Sequence, residues 1–185
     1  LYSNTTLALD PDTGRLKWYF QNAPGETLDL DEVFERTLID HGQQKTLMTV
    51  GKSGLMWKLD RVTGKFLDVK ETVFQNVWAA IDMKTGRTTY RDDILHETLG
   101  KTVDACPTSA GGHNWPATSY NAAAGLLIAP LVQACQTMVP SAANLAGNGN
   151  GGKAGEQALG EDRCSHEILL DGWFVSAGTP PAAPR

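Results

Sequence analysis

Two aspartates one residue apart, a lysine flanked by glycines, and an asparagine beside a tryptophan are the side chains of this 185-residue sequence best placed to do chemistry. Asp29 and Asp31 lie in Leu28-Asp-Leu-Asp31. In an extended segment, side chains alternate, so both carboxylates would point to one side. Carboxylates so placed can take up a proton or ligate a hard cation. Lys52 stands in Gly51-Lys-Ser-Gly54, directly after the apolar run Leu47–Val50. Asn114 and Trp115 fall in Gly111-Gly-His-Asn-Trp-Pro116, and an amide both donates and accepts hydrogen bonds. Each also has an ordinary reading: acidic residues in a solvated turn, a surface lysine, and a structured turn with an aromatic plug.

Other chemistries are excluded. The net charge of −5 argues against a phosphate-backbone or anionic-membrane partner, which needs a basic face. The longest apolar run, around Ala122–Pro130, is too short to cross a membrane as a helix. Gly147–Gly155 has no Walker pattern, and there is no H-E-x-x-H, G-x-S-x-G or zinc-ligand cluster. Three cysteines, Cys106, Cys135 and Cys164, are too few for a disulfide scaffold and lack C-x-x-C spacing; one disulfide and one odd thiol fit the count.

The elements that must position these residues are short strands. Runs such as Leu47–Val50, Leu55–Leu59, Phe74–Ile81 and Leu126–Ala129 alternate with Gly, Asp, Asn and Pro punctuation. Asp31–Ile39 fits a short helix, while Arg36–Ile39 fits a strand equally well, and helix content should be low. A repeat sets the architecture. Ala8-Leu-Asp-Pro-Asp-Thr-Gly-Arg-Leu-Lys-Trp18 has the form A-x-D-x-x-T-G-x-x-x-W, and it recurs around Asp60–Gly64 and as Ala80–Tyr90. D-x-x-T-G supplies a side-chain-capped turn ending in a residue that tolerates positive φ, and the final aromatic can pack against an adjacent unit. Turn-and-aromatic repeats once per hairpin are the mark of β-propellers. From residue 141 the chain is rich in Gly, Ala and Pro, which predicts an irregular tail, with Ile168–Val175 as the one candidate strand.

The eleven-residue motif ending in Trp18 resembles the tryptophan-docking motif of the PQQ (pyrroloquinoline quinone)-dependent alcohol and methanol dehydrogenases, the quinoproteins. Further matches follow in order: Trp18-Tyr-Phe-Gln-Asn-Ala-Pro24, Leu28–Asp31, Thr49–Gly54 with Leu59-Asp-Arg61, and Cys106-Pro107 with Gly111–Pro116. The resemblance covers residues 1–140 and implies an all-β fold, part of an eight-bladed β-propeller. It implies Asp29 as the catalytic base and a metal ligand, and Asp31 as a second ligand of Ca2+ or a lanthanide ion. Lys52, Asn114 and Trp115 would bind PQQ, and Cys106 and Cys135 would pair as a disulfide. The substrate would be a primary or secondary alcohol, the electron acceptor a cytochrome c, and the compartment the periplasm. Gly25-Glu26 departs from the family's Pro-His-Asp, and together with Leu28 it leaves open a polymer or heterocycle as substrate.

In the family, the remaining metal ligands and the aromatic cover over PQQ come from blades that would precede Leu1. A fragment of a propeller is therefore expected, inactive alone and without tight hold on PQQ, with a tail foreign to the intact gene. The competing reading is a non-catalytic propeller scaffold for periplasmic protein assembly. Such a scaffold needs the turns but has no use for Asp29, Lys52 and Asn114 at these spacings.

Overall fold

The computed structural model describes residues 2–140 and the backbone of Trp173–Ser176. The described part is built almost entirely of antiparallel strands. β1 (Thr5–Leu9) pairs with β2 (Leu16–Gln21). A four-stranded sheet follows in chain order: β3 (Thr37–His41), β4 (Gln44–Val50), β5 (Leu55–Asp60) and β6 (Phe66–Glu71). β7 (Trp78–Ile81) pairs with β8 (Thr88–Tyr90), and one helical turn, α1 (Asp92–Leu95), comes next. β9 (Val103–Ala105) pairs with β12 (Gln136–Met138), closing around the hairpin of β10 (Ser119–Asn121) and β11 (Leu126–Ala129). The far edge of β11 carries β13 (Trp173–Ser176). The rest of the tail read as irregular in sequence lies outside the described residues.

Three D-x-x-T-G segments form three turns of one design. Asp10 Oδ1 accepts from the amides of Asp12 and Thr13 at 3.1 Å and from the Thr13 hydroxyl at 3.0 Å. Asp60 repeats this with Val62 and Thr63; Asp82 accepts from the Lys84 amide at Oδ1 and the Thr85 hydroxyl at Oδ2, while the Thr85 amide donates to its carbonyl. The closing glycines, Gly14, Gly64 and Gly86, have φ of 68°, 73° and 73°, a region that costs a residue with a Cβ about 1–2 kcal/mol. The donated hydrogen bonds stabilise the charged carboxylates, so all three aspartates hold their protons less tightly than usual; for Asp10 the first contribution is Lys17. A fourth turn of this length, Asn121–Gly125, joins β10 to β11, with Ala124 N–H donating to Asn121 Oδ1 at 3.1 Å.

In two of these turns the glycine admits an aromatic from elsewhere, while Gly14 and Gly125 face open space. A Cβ on Gly64 would lie 2.6 Å from the Trp18 ring, whose Nε1–H donates to the Arg61 carbonyl at 3.2 Å. Gly86 sits equally close on Phe66 and Phe20. Neighbouring hairpins are thereby fastened together.

The four-stranded sheet is buried on both faces because its strands carry apolar residues on both. Leu47, Leu55, Trp57 and Leu59 face a core shared with Leu28, Leu30, Val77 and Trp78. Met48, Val50 and Met56 face the other way, against Leu127, Ala129 and Leu131 of the β11 layer. A sheet sandwiched between its chain neighbours is what radial stacking of blades requires. The apolar run at Phe74 does not extend the strand: Phe74 is exposed and pairing begins at Trp78.

Cys106 and Cys135 are joined by a disulfide that ties the β9 end to the β12 end across 29 residues. Its reduction is expected to lower stability by about 3–4 kcal/mol on loop-entropy grounds. A urea midpoint under dithiothreitol equal to that of the oxidised chain would contradict this.

Candidate active site

Between β2 and β3 the chain makes no strand ladder, yet its burial alternates from Leu28 onward. Leu28, Leu30, Glu32 and Phe34 are buried, while Asp29, Asp31, Val33 and Glu35 point outward. One side-chain amide substitutes for the missing neighbour strand. Asn4 Nδ2 donates to the Leu30 carbonyl, and Asn4 Oδ1 accepts from the Glu32 amide, each at 3.2 Å. Arg36 holds the carbonyls of Glu32 and Phe34 from below. The alternation places both aspartates on one side as the sequence predicts, but not through a strand: Asp29 has φ of 63°, in the left-handed region.

The turn after β4 brings Lys52 to these carboxylates. Its Nζ lies 3.2 Å from Asp29 Oδ2 and 2.8 Å from Asp31 Oδ2. The lysine side chain is only 11% exposed, against 58% and 43% for the aspartates, so a buried stem delivers its charge to a wet rim. Burial disfavours the ammonium, but the hydrogen bonds and charges of Asp31 and then Asp29 outweigh it, and the lysine holds its proton more tightly than usual. An ammonium has three donors; two are taken here, and no described residue takes the third.

The backbone of Lys52 is gripped from both sides. Its N–H donates to the Asp31 carbonyl at 3.0 Å, and its carbonyl accepts from Gly112 N–H at 2.8 Å. Gly111, with φ of 85°, packs so closely that a Cβ there would lie 2.5–2.6 Å from Lys52 Cγ, Cα and Cβ. The loop carrying Asn114 and Trp115 is thus docked beside the lysine. The Asn114 amide is turned onto its own loop, donating to the Ala110 carbonyl at 2.5 Å and accepting from Trp115 N–H at 2.9 Å. Trp115 is 82% exposed and rests edgewise on Phe34. The structure therefore unites Asp29, Asp31 and Lys52 by direct contact, and Asn114 and Trp115 only through their loop.

Two buried polar residues beside the site have no role assigned from the sequence. His113 is 1% exposed, its Nδ1 2.9 Å from the Pro130 carbonyl; its Nε2 has no hydrogen-bond partner and lies 3.8 Å from Glu35 Oε1, which accepts from the Thr118 amide and hydroxyl. Glu32 is 2% exposed; the Ser53 hydroxyl donates to its Oε1, while Oε2 has no partner. Burial, only partly offset by Ser53 and Arg36, pushes its carboxyl up to about 8. Between an unfolded value near 4.5 and that folded value, the folded chain holds the extra proton. Stability is therefore expected to be full below this window and to fall as pH rises through it, by at most about 1.4 kcal/mol per unit. Urea titrations from pH 5 to 8 check this, and Glu32→Gln should flatten the slope. A cavity of about 210 Å3 opens at the other end of the segment, between Pro24–Thr27, Tyr90 and α1.

Two carboxylates brought to one ammonium are oxygen donors of the kind a hard cation takes. They are a partial donor set, since such ions take six or more oxygens and no three His, Cys, Asp or Glu groups cluster among the described residues. The unclaimed ammonium donor beside them fits an oxygen-rich planar group.

Comparisons with known proteins agree on one kind of relative. Residues 1–75 match the family model "PQQ: Glucose/ethanol/alcohol dehydrogenase, beta-propeller domain". The quinohemoprotein alcohol dehydrogenase ADH IIB of Pseudomonas putida is 34% identical over 135 residues, covering 70% of this chain and 19% of the relative. The quinoprotein alcohol dehydrogenase PedH of Pseudomonas putida is 35% identical over 139 residues, 70% of this chain and 23% of the relative. Among solved structures, the quinohemoprotein alcohol dehydrogenase ADHIIG of Pseudomonas putida HK5 superposes with a TM-score of 0.70 at 30% identity, over 75% of this chain and 21% of that one. A europium-containing methanol dehydrogenase gives 0.72 at 26% identity, over 77% and 26%. The chain thus spans about a fifth of the length of the relatives it matches.

Proposed function

Because this chain belongs to the family of PQQ-dependent (quinoprotein) alcohol dehydrogenases, we propose that it is the part of such an enzyme that carries the base, the cationic partner of the quinone and two ligands of the metal. The observation that carries this reading is the Lys52 ammonium held between Asp29 and Asp31 with one donor unclaimed. A scaffold built of the same turns has no need of a charged lysine whose stem is buried.

In this reading, Asp29 is the base that takes the hydroxyl proton of a primary or secondary alcohol; its exposed carboxylate is open to substrate. PQQ would supply the oxidising power, as the acceptor of the hydride that the alcohol loses. The third Lys52 donor would be available to a quinone oxygen, where a fixed cation would stabilise growing negative charge. Its two carboxylate partners keep that lysine protonated. Asn114 and Trp115 offer an amide and an apolar ring from the docked loop. Asp29 and Asp31 would hold Ca2+ or a lanthanide ion, and the second carboxylate would favour the trivalent ion through its added charge. The remaining ligands, and the closure of an eight-bladed ring, come from other parts of a longer polypeptide. Electrons leave to a cytochrome c, and the disulfide fits a periplasmic address.

The test is a chimera in which residues 1–140 replace the matching segment of Pseudomonas putida ADH IIB. It should bind PQQ and reduce an artificial dye at the expense of alcohol, whereas the isolated chain should bind PQQ weakly. A folded chimera that binds no PQQ, or tight stoichiometric binding by the isolated chain, would count against the reading.

A further inference from the structure

We propose that Glu32 is a positioning residue for Lys52, its buried carboxyl fastening the Gly51–Ser53 turn to the Asp29–Glu32 segment and so fixing where the ammonium points. Three successive residues of the turn meet that segment. A Cβ on Gly51 would lie 2.6 Å from Glu32 Cδ and Oε2 and 2.7 Å from the Asp31 carbonyl, so the glycine lies flat on the carboxyl. Lys52 N–H donates to the Asp31 carbonyl at 3.0 Å. The Ser53 hydroxyl donates to Glu32 Oε1 while accepting from Leu55 N–H at 3.2 Å, so its proton has a single direction.

Glu32 is itself anchored. Asn4 holds its amide, and Arg36 holds its carbonyl. The contacts therefore run from Asn4 and Arg36 through Glu32 to Ser53 and the root of the Lys52 side chain. A lysine stem has four rotatable bonds, and fixing its root removes much of the freedom that would carry the ammonium away from Asp29 and Asp31. A buried apolar residue would fill the same space but leave the Ser53 hydroxyl undirected. Nothing in the sequence marks Glu32, which follows two rim aspartates and reads as a third.

The importance of where Lys52 points rests on the function proposed above, but the test needs no cofactor, so the two ideas fail separately. The 185-residue chain is labelled with 15N-lysine, and the Lys52 ammonium resonance, assigned by its loss in Lys52→Gln, is followed by hydrogen exchange. Glu32→Leu and Ser53→Ala should each speed that exchange by about tenfold, the scale of one buried hydrogen bond, with the other lysines unmoved. Glu32→Gln should restore it to within about twofold of the parent, since an amide oxygen also accepts from Ser53. A folded Ser53→Ala or Glu32→Leu chain with parental Lys52 exchange overturns the proposal. So does Glu32→Gln losing protection as fully as Glu32→Leu. Should Glu32→Leu fail to fold, Ser53→Ala, which deletes a single hydroxyl, decides alone.

Discussion

Asp29→Asn, introduced into the chimera, is expected to lower kcat by about 10²- to 10⁴-fold, the range for loss of a general base, with PQQ content unchanged. Asparagine is the right probe for three reasons. It matches aspartate in shape but takes no proton. It tolerates the left-handed backbone that Asp29 adopts at φ 63°. Lys52 keeps its 2.8 Å contact to Asp31, so the ammonium has no reason to leave. The exposure of Asp29 keeps the structural cost small. Metal content measured on the same sample, with Asp31→Asn as companion, separates the base from the ligand. Parental turnover in Asp29→Asn would point to a different base.

The second large effect is structural. Gly111→Ala is expected to destabilise the chain by about 2–5 kcal/mol, combining the left-handed backbone penalty with a steric overlap. The overlap has no easy relief, because one of the atoms met at 2.6 Å is Lys52 Cα, which Asp31 and Gly112 hold on either side. Gly125→Ala is the control. Its φ is 65°, yet nothing lies within 4 Å of the added methyl, so only the backbone penalty of about 1–2 kcal/mol should appear. Equal urea midpoints for the two variants would show that the 108–115 loop is not held against Lys52 as described.

What the sequence disclosed depended on how local each feature is. The three D-x-x-T-G turns were readable because their hydrogen bonds fall within the motif itself. The fourth escaped notice because Asn121 and Ala124 replace Asp and Thr, leaving one side-chain bond where the others have more. The common side of Asp29 and Asp31 followed from alternation alone, although the segment is no strand and the positive φ at Asp29 left no trace in the sequence. Glu32 and His113 were invisible for the opposite reason. Their burial is decided by Gly51, Ser53 and Pro130, residues 17 or more positions away, and no composition window spans that distance. The resemblance supplied the pairing of Cys106 with Cys135, which residue count alone had left open.

The self-capped turns also bear on how the chain reaches this shape. Every bond that closes the Asp10, Asp60 and Asp82 turns spans five residues or fewer, so each hairpin can nucleate alone, within about 1–10 μs for a hairpin. The bond from Trp18 to Arg61 spans 43 residues and must wait for two such nuclei to meet. Slow steps are thus confined to the joints between units, and lengthening such a chain by one more unit adds a joint without making any existing one harder to close.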